Sequence, residues 1–106
     1  MQRLHQASDI ANIFAQIKPQ YLDNFQIYKR PNSLEHHRLG VIIPKKQVSL
    51  AVNRNRLKRQ IRELFRKNII AKSNKYDILV LVRTKITSQN KADYLHQLHN
   101  YINNLS

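Results

Sequence analysis

Between Ala51 and Lys67 lie seven cations, Arg54, Arg56, Lys58, Arg59, Arg62, Arg66 and Lys67, against a single acid, Glu63. Side chains of one sign at this density are suited to holding a polyanion. Arg54, Lys58, Arg62 and Arg66 stand four apart, where like charges cost an isolated helix about 0.2–0.5 kcal/mol per pair. An anionic partner offsets that repulsion. Five of the seven are arginines, whose planar guanidinium grips phosphate bidentately and stacks on bases. A membrane surface is the rival polyanion, but the run has no Trp and a single Phe to insert into lipid.

Other chemistries find less support. The acids Asp9, Asp23, Glu35, Glu63, Asp77 and Asp93 are scattered singly, with no two spaced to share a helix face for acid–base or two-metal work. Asp77, just ahead of an apolar run, reads as a local hydrogen-bond acceptor or ion-pair partner. His36 and His37 fall in an expected loop, and His96 and His99 sit three apart on an expected helix without a third ligand nearby. Solvated or RNA-facing roles suit these histidines better than a metal site. Phe14, Tyr21, Phe25 and Tyr28 are the rings on which bases could stack, at about 1–3 kcal/mol per base when exposed. For any one of them, burial in the core is the competing role.

The basic run needs a scaffold, and its own pattern supplies one. It lacks Gly and Pro, and Leu57, Ile61, Leu64 and Phe65 recur at i, i+4, i+7 and i+8, so one face packs while cations occupy the remainder. A first helix is expected over about 8–17, with Ser8 as N-cap, Ile10, Ile13, Phe14 and Ile17 as its stripe, and Pro19 beyond its end. Phe25 and Ile27 alternate with polar neighbours in a strand reaching Tyr28 and Lys29, and Pro31-Asn32-Ser33 signals a turn. Strands follow over about 38–43 and 77–83, the second apolar on both faces and so interior. Ser73-Asn74-Lys75 makes a loop, Thr87-Ser88-Gln89-Asn90 offers caps, and a last helix spans about 91–104. This order describes an α+β two-layer sandwich, with helices packed on a small sheet.

The 106 residues suit a single domain over 1–106, large enough for one core without staples. With no Cys, structural disulfides and thiol nucleophiles are excluded. The start MQRLHQASD lacks a secretory apolar region, and a soluble, cytoplasmic protein is expected. A formal net charge of +13 again asks for a polyanionic partner.

The stretches Arg38-Leu39-Gly40-Val41-Ile42-Ile43-Pro44-Lys45-Lys46 and Ala51 to Arg66 closely resemble the protein subunit of bacterial ribonuclease P. The specific part is Arg54-Asn55-Arg56, followed by Lys58-Arg59, Arg62-Glu63 and Phe65-Arg66. Leu4, Ser8-Asp9 and Phe14 look like that family's first helix, and Asp77 to Arg83 like its last strand. The resemblance implies an α-β-β-β-α-β-α sandwich with a left-handed crossover at the basic helix, against the usual right-handed rule. It also implies an endoribonuclease role as a ribonucleoprotein subunit, assisting a catalytic RNA in removing the 5′ leader of precursor tRNA. The RNA and its Mg²⁺ would carry the hydrolysis, with no catalytic residue, cofactor or metal ligand on the protein.

Carried over by motif, Arg54, Asn55, Arg56, Lys58, Arg59 and Arg62, with Lys45 and Lys46, would face the catalytic RNA. Ile10, Phe14 and Tyr28 would hold the leader, although Ile10 stands where the family usually has an aromatic. No membrane and no obligate protein partner is implied. A ribosomal or other structured-RNA-binding protein of similar fold would share the basic helix. A stand-alone nuclease is disfavoured by the isolated acids, and a DNA-binding helix by the lack of a helix-turn-helix pattern.

Overall fold

A computed structural model describes residues 2–3, 7–32, 34–69 and 74–105. The order is β1 (Gln2–Arg3), α1 (Ala7–Gln16), β2 (Gln20–Tyr21), β3 (Phe25–Pro31), β4 (Arg38–Ile42), α2 (Ala51–Ile69), β5 (Tyr76–Val82) and α3 (Lys91–Asn103). The expected α-β-β-β-α-β-α sequence is present, and the two-residue β1 is added ahead of it. One sheet forms in the order β1-β4-β5-β3-β2. β5 lies at its centre, antiparallel to β3 and parallel to β4. The parallel pair is joined through α2, which is why the basic helix must cross the sheet. Neither β1 nor β2 was legible as a strand: two residues are too few to show a period.

Strand alternation divides the sheet into two unequal faces. Phe25 and Ile27 of β3, Leu39 and Val41 of β4, and Ile78, Val80 and Val82 of β5 are buried against α2 and α3. From α2 come Leu57, Ile61, Phe65 and Ile69, and from α3 come Tyr94, Leu98, Tyr101 and Ile102. Leu64 is only partly buried, at the edge of the stripe, and Ile69 extends it by a turn instead. Phe25 is wholly enclosed and meets Tyr94 edge-to-face at 5.3 Å, so it is core and presents no ring to a base. The opposite face carries a smaller cluster, in which Ile10 and Ile17 of the α1 region pack on Tyr28, Ile42 and Leu79.

Turn chemistry departs from the simple signals. Pro31 closes β3 opposite Tyr76, at a strand end where its missing N–H is tolerated. The turn starts one residue later, where the Asn32 side chain accepts from the Leu34 amide at 3.0 Å. Asn90 heads α3 without a side-chain cap bond. It exchanges bonds with Thr87 instead, accepting from the Thr87 amide at 2.7 Å and donating its own amide to Thr87 Oγ1 at 3.3 Å. Ser33 and Ser73 lie outside the described residues, as do Leu4 and the Ser8 and Ile13 side chains.

Two buried polar groups pin the far end of the sheet. Asp77, 1% exposed, takes bonds from Arg38 at 2.7 and 2.6 Å, from Arg30 at 2.9 Å and from Asn32 at 2.9 Å. Burial alone would raise its pKa, but the donors Arg38, Asn32 and Arg30 together hold the carboxyl below its ordinary range. His37 is buried, not solvated as expected from its loop: its Nδ1 accepts from the Tyr76 amide at 3.1 Å and its ring stacks on Tyr76. Burial, and then Lys75, lower its pKa. A neutral His37 is thus part of the fold, because a proton on Nδ1 would remove the acceptor.

Both groups have folded pKa values below their unfolded ones, so each contributes stability at higher pH that is lost on acidification. The unfolding free energy is expected to hold steady above pH ~6.5 and decline below it as His37 protonates, then fall further below ~3.9 as Asp77 does. Urea denaturation across pH checks this. Asp77→Asn should shrink the lower phase, keep the upper one and cost about 2–3 kcal/mol at pH 7.

Candidate nucleic-acid interface

The apolar stripe of α2 sets where each cation points. Arg54 precedes Leu57 by three residues and Ile61 by seven, so it falls on the buried side of the helix. Its Nη1 donates to the carbonyls of Val48 and Ser49, both at 2.8 Å, fastening the incoming loop to the first turn. Asn55, Arg56 and Arg59 are exposed on the outer side, while Lys58 and Arg62 are half-buried at the flanks. Lys45 and Lys46 are exposed in the loop before the helix. Of the eight residues singled out in sequence, Lys45, Lys46, Asn55, Arg56 and Arg59 are exposed, Lys58 and Arg62 are partly so, and Arg54 is turned to the backbone of the incoming loop.

Charge on this surface is poorly balanced within the chain. Glu63 is paired with Arg66, through bonds of 3.1 and 2.9 Å, and both are about half exposed. That pair removes Arg66 from the free cations, an outcome the i, i+3 spacing could have announced. Arg56 and Arg59 have no ion pair among the described residues. Arg62 has its pKa lowered by burial and then by Arg3, which approaches from β1. Sequence reasoning missed Arg3, because only the pairing of β1 on β4 brings it there.

A second feature lies on the other face of the sheet. Phe14 of α1 meets Tyr28 of β3 edge-to-face, with ring centroids 4.7 Å apart. Phe14 stays 39% exposed, whereas Tyr28 is 7% exposed and Ile10 is half-buried beside it. The Phe14 ring is thus open to solvent, with Tyr28 as its support. Burial, and then Tyr21, raise the Tyr28 pKa, which keeps its hydroxyl protonated. On the same face of β3 and β4, the Asp77-held Arg30 and Arg38 are about a quarter exposed. Tyr21, 59% exposed, lies at the β2 edge with Arg83 over its ring at 4.9 Å.

Among the described residues the histidines stand apart. His99 Nε2 lies 3.3 Å from Asn68 Oδ1, tying α3 to α2, and His96 is exposed. No three His, Cys, Asp or Glu side chains gather to hold an ion among the described residues. No helix among them is long and apolar enough to cross a membrane.

A small α+β domain, then, turns a cationic helix outward on one side of its sheet and the exposed Phe14 ring, packed on Tyr28, on the other. The chain belongs to the ribonuclease P protein family, whose model, described as Ribonuclease P, matches residues 1–106. It is similar to the ribonuclease P protein component of Methylococcus capsulatus, 44% identical over 75 residues, covering 71% of this chain and 58% of that protein. The corresponding protein of Chromobacterium violaceum is 33% identical over 91 residues, covering 86% of this chain and 74% of the relative. The first of these alignments therefore spans little more than half of the relative's length. Among solved structures, the RNase P protein from Thermotoga maritima superposes with a TM-score of 0.76 at 26% identity, covering 100% of this chain and 99% of that one. The Staphylococcus aureus RNase P protein gives 0.70 at 30% identity, covering 97% and 90%.

Two substitutions separate packing from charge on α2. Arg54→Ala should lower the urea midpoint by the equivalent of about 1.5–3 kcal/mol, because it strips charged donors from two loop carbonyls. Arg59→Ala should leave stability within about 0.5 kcal/mol. In a salt titration of single-stranded RNA binding, it should instead reduce the log–log slope by about 0.7.

Proposed function

We propose that this chain is the RNA-binding subunit of a ribonuclease P, acting in the cytoplasm to help a catalytic RNA remove the 5′ leader of precursor tRNA. The observation that carries the proposal is the division of α2: its stripe is spent on the core, while Asn55, Arg56, Lys58, Arg59 and Arg62 are left at the surface or its flanks. In this reading those residues, with Arg54, Lys45 and Lys46, hold the catalytic RNA. Phe14, supported by Tyr28 and Ile10, takes the single-stranded leader on the opposite face. One protein can then touch ribozyme and substrate together, positioning the scissile bond.

Two of the protein's acids fit that division of labour. Asp77 is engaged by three donor side chains and Glu63 by Arg66, so neither is placed to hold a divalent cation or to act as a base. In the proposal Mg²⁺ is held by the RNA and supplies the activated water and charge stabilisation. Arg56 and Arg59 act through phosphate contacts, and Phe14 through stacking on a leader base.

Reconstitution with a bacterial ribonuclease P RNA and precursor tRNA at low Mg²⁺ tests this. Cleavage well above that of the RNA alone is expected. No stimulation would overturn the proposal, and cleavage without the RNA would assign the chemistry to the protein. Arg56→Ala should weaken assembly with the catalytic RNA. Phe14→Ala should preserve assembly but weaken leader-bearing substrate by about 1–3 kcal/mol, with binding of mature tRNA unchanged.

A further inference from the structure

One row of side chains crosses the sheet on the face that carries Phe14. Arg30 of β3 and Arg38 of β4 both stand opposite Asp77 of the central strand β5. Strand alternation puts all three on the same side as Tyr28 and Leu79, which pair in the next row. The Asp77 oxygens are occupied: Arg38 donates through Nε and Nη2, Arg30 through Nε and Asn32 through Nδ2. One carboxylate thus fixes two guanidinium groups while cancelling one charge, and the row keeps a surplus cation. Arg30 uses only Nε on Asp77, and among the described residues its Nη1 and Nη2 have no partner. Both arginine side chains are about a quarter exposed, and with Asn32 they line an open hollow of about 360 Å³. Asp77 itself is 1% exposed, so little of its charge faces whatever enters.

We propose that the Arg30–Arg38 pair clamps one phosphate of the single-stranded 5′ leader, next to the base that stacks on Phe14. The clamp rests on the proposed function and adds a backbone contact to it. A guanidinium fork takes phosphate bidentately, and one already immobilised loses little side-chain freedom on binding. Arg30 and Tyr28 are two residues apart on β3, roughly 6.6 Å along the strand, a span that one extended nucleotide covers. Because Phe14 packs on Tyr28, a base on that ring brings its neighbouring phosphate to the arginine row. The pair shares its face with Phe14 and lies across the sheet from α2, which favours the leader over the catalytic RNA as the source of that phosphate.

Precursor tRNAs carrying a single uncharged methylphosphonate linkage, scanned position by position along the leader, test the clamp in the assembled enzyme. With the unaltered chain, one linkage or two adjacent ones should weaken substrate binding about ten-fold, as loss of a charge-assisted contact does. Arg30→Gln keeps a donor for Asp77, so the urea midpoint and assembly with the catalytic RNA should hold while the sensitivity at that linkage disappears. Arg30→Lys, with the charge but not the fork, should recover part of it. A scan with no sensitive linkage for the unaltered chain, or one that Arg30→Gln leaves unchanged, would overturn the clamp alone. Weaker assembly of Arg30→Gln with the catalytic RNA, measured without precursor tRNA, would assign the pair to the ribozyme and overturn it too. Failure of the unaltered chain to stimulate the ribozyme at all would instead remove the proposed function and the clamp together.

Discussion

The docking of Leu57, Ile61, Phe65 and Ile69 onto the sheet is the constraint from which the rest of the molecule follows. A chain with net charge +13 repels itself, and a helix carrying seven cations has little reason to stay against a protein core unless apolar contact holds it there. Burying four large side chains contributes roughly 1.5–3 kcal/mol each before conformational entropy is set against it. Once that stripe is seated, every cation on α2 has a fixed direction. Arg54 is turned into the loop, Arg66 meets Glu63, and Arg56 and Arg59 face outward.

The sheet divides the exposed side chains as well as the packing. Its better-covered face supports α2 and α3, and the other carries the Phe14–Tyr28 pair and the Arg30–Asp77–Arg38 cluster. Asp77 belongs to the central strand, yet its carboxylate fixes arginines from β3 and β4. A buried carboxylate with that many donors is costly to disrupt, and it sets the two guanidinium groups at defined places on the surface. At the β1 edge, burial and then the approach of Arg3 lower the pKa of Arg62 of α2.

Much of this was legible in the chain, and the exceptions have physical causes. Helical periodicity located α2 and α3 to within a few residues, because both bury long regular stripes. The cationic run announced a polyanion partner, and the order of its residues pointed to one family. Tertiary placement was not legible: Arg54 reads as a surface arginine until the loop carbonyls of Val48 and Ser49 are seen to take its Nη1. His37 reads as a loop histidine until the Tyr76 amide is found on its ring nitrogen. The partners of Asp77 come from positions 30, 32 and 38, a set that no local pattern joins.

The central claim is that the two sides of the sheet meet two different RNAs. Because the chain has no cysteine, single reporters are introduced cleanly. A photo-cross-linker attached through Asn55→Cys on α2, and another through Gln16→Cys at the end of α1, occupy exposed positions on the two sides. In the assembled enzyme with leader-bearing precursor tRNA, the first should cross-link to the catalytic RNA and the second to the leader. Both reporters reaching the same RNA, or the two exchanging targets, would contradict the account.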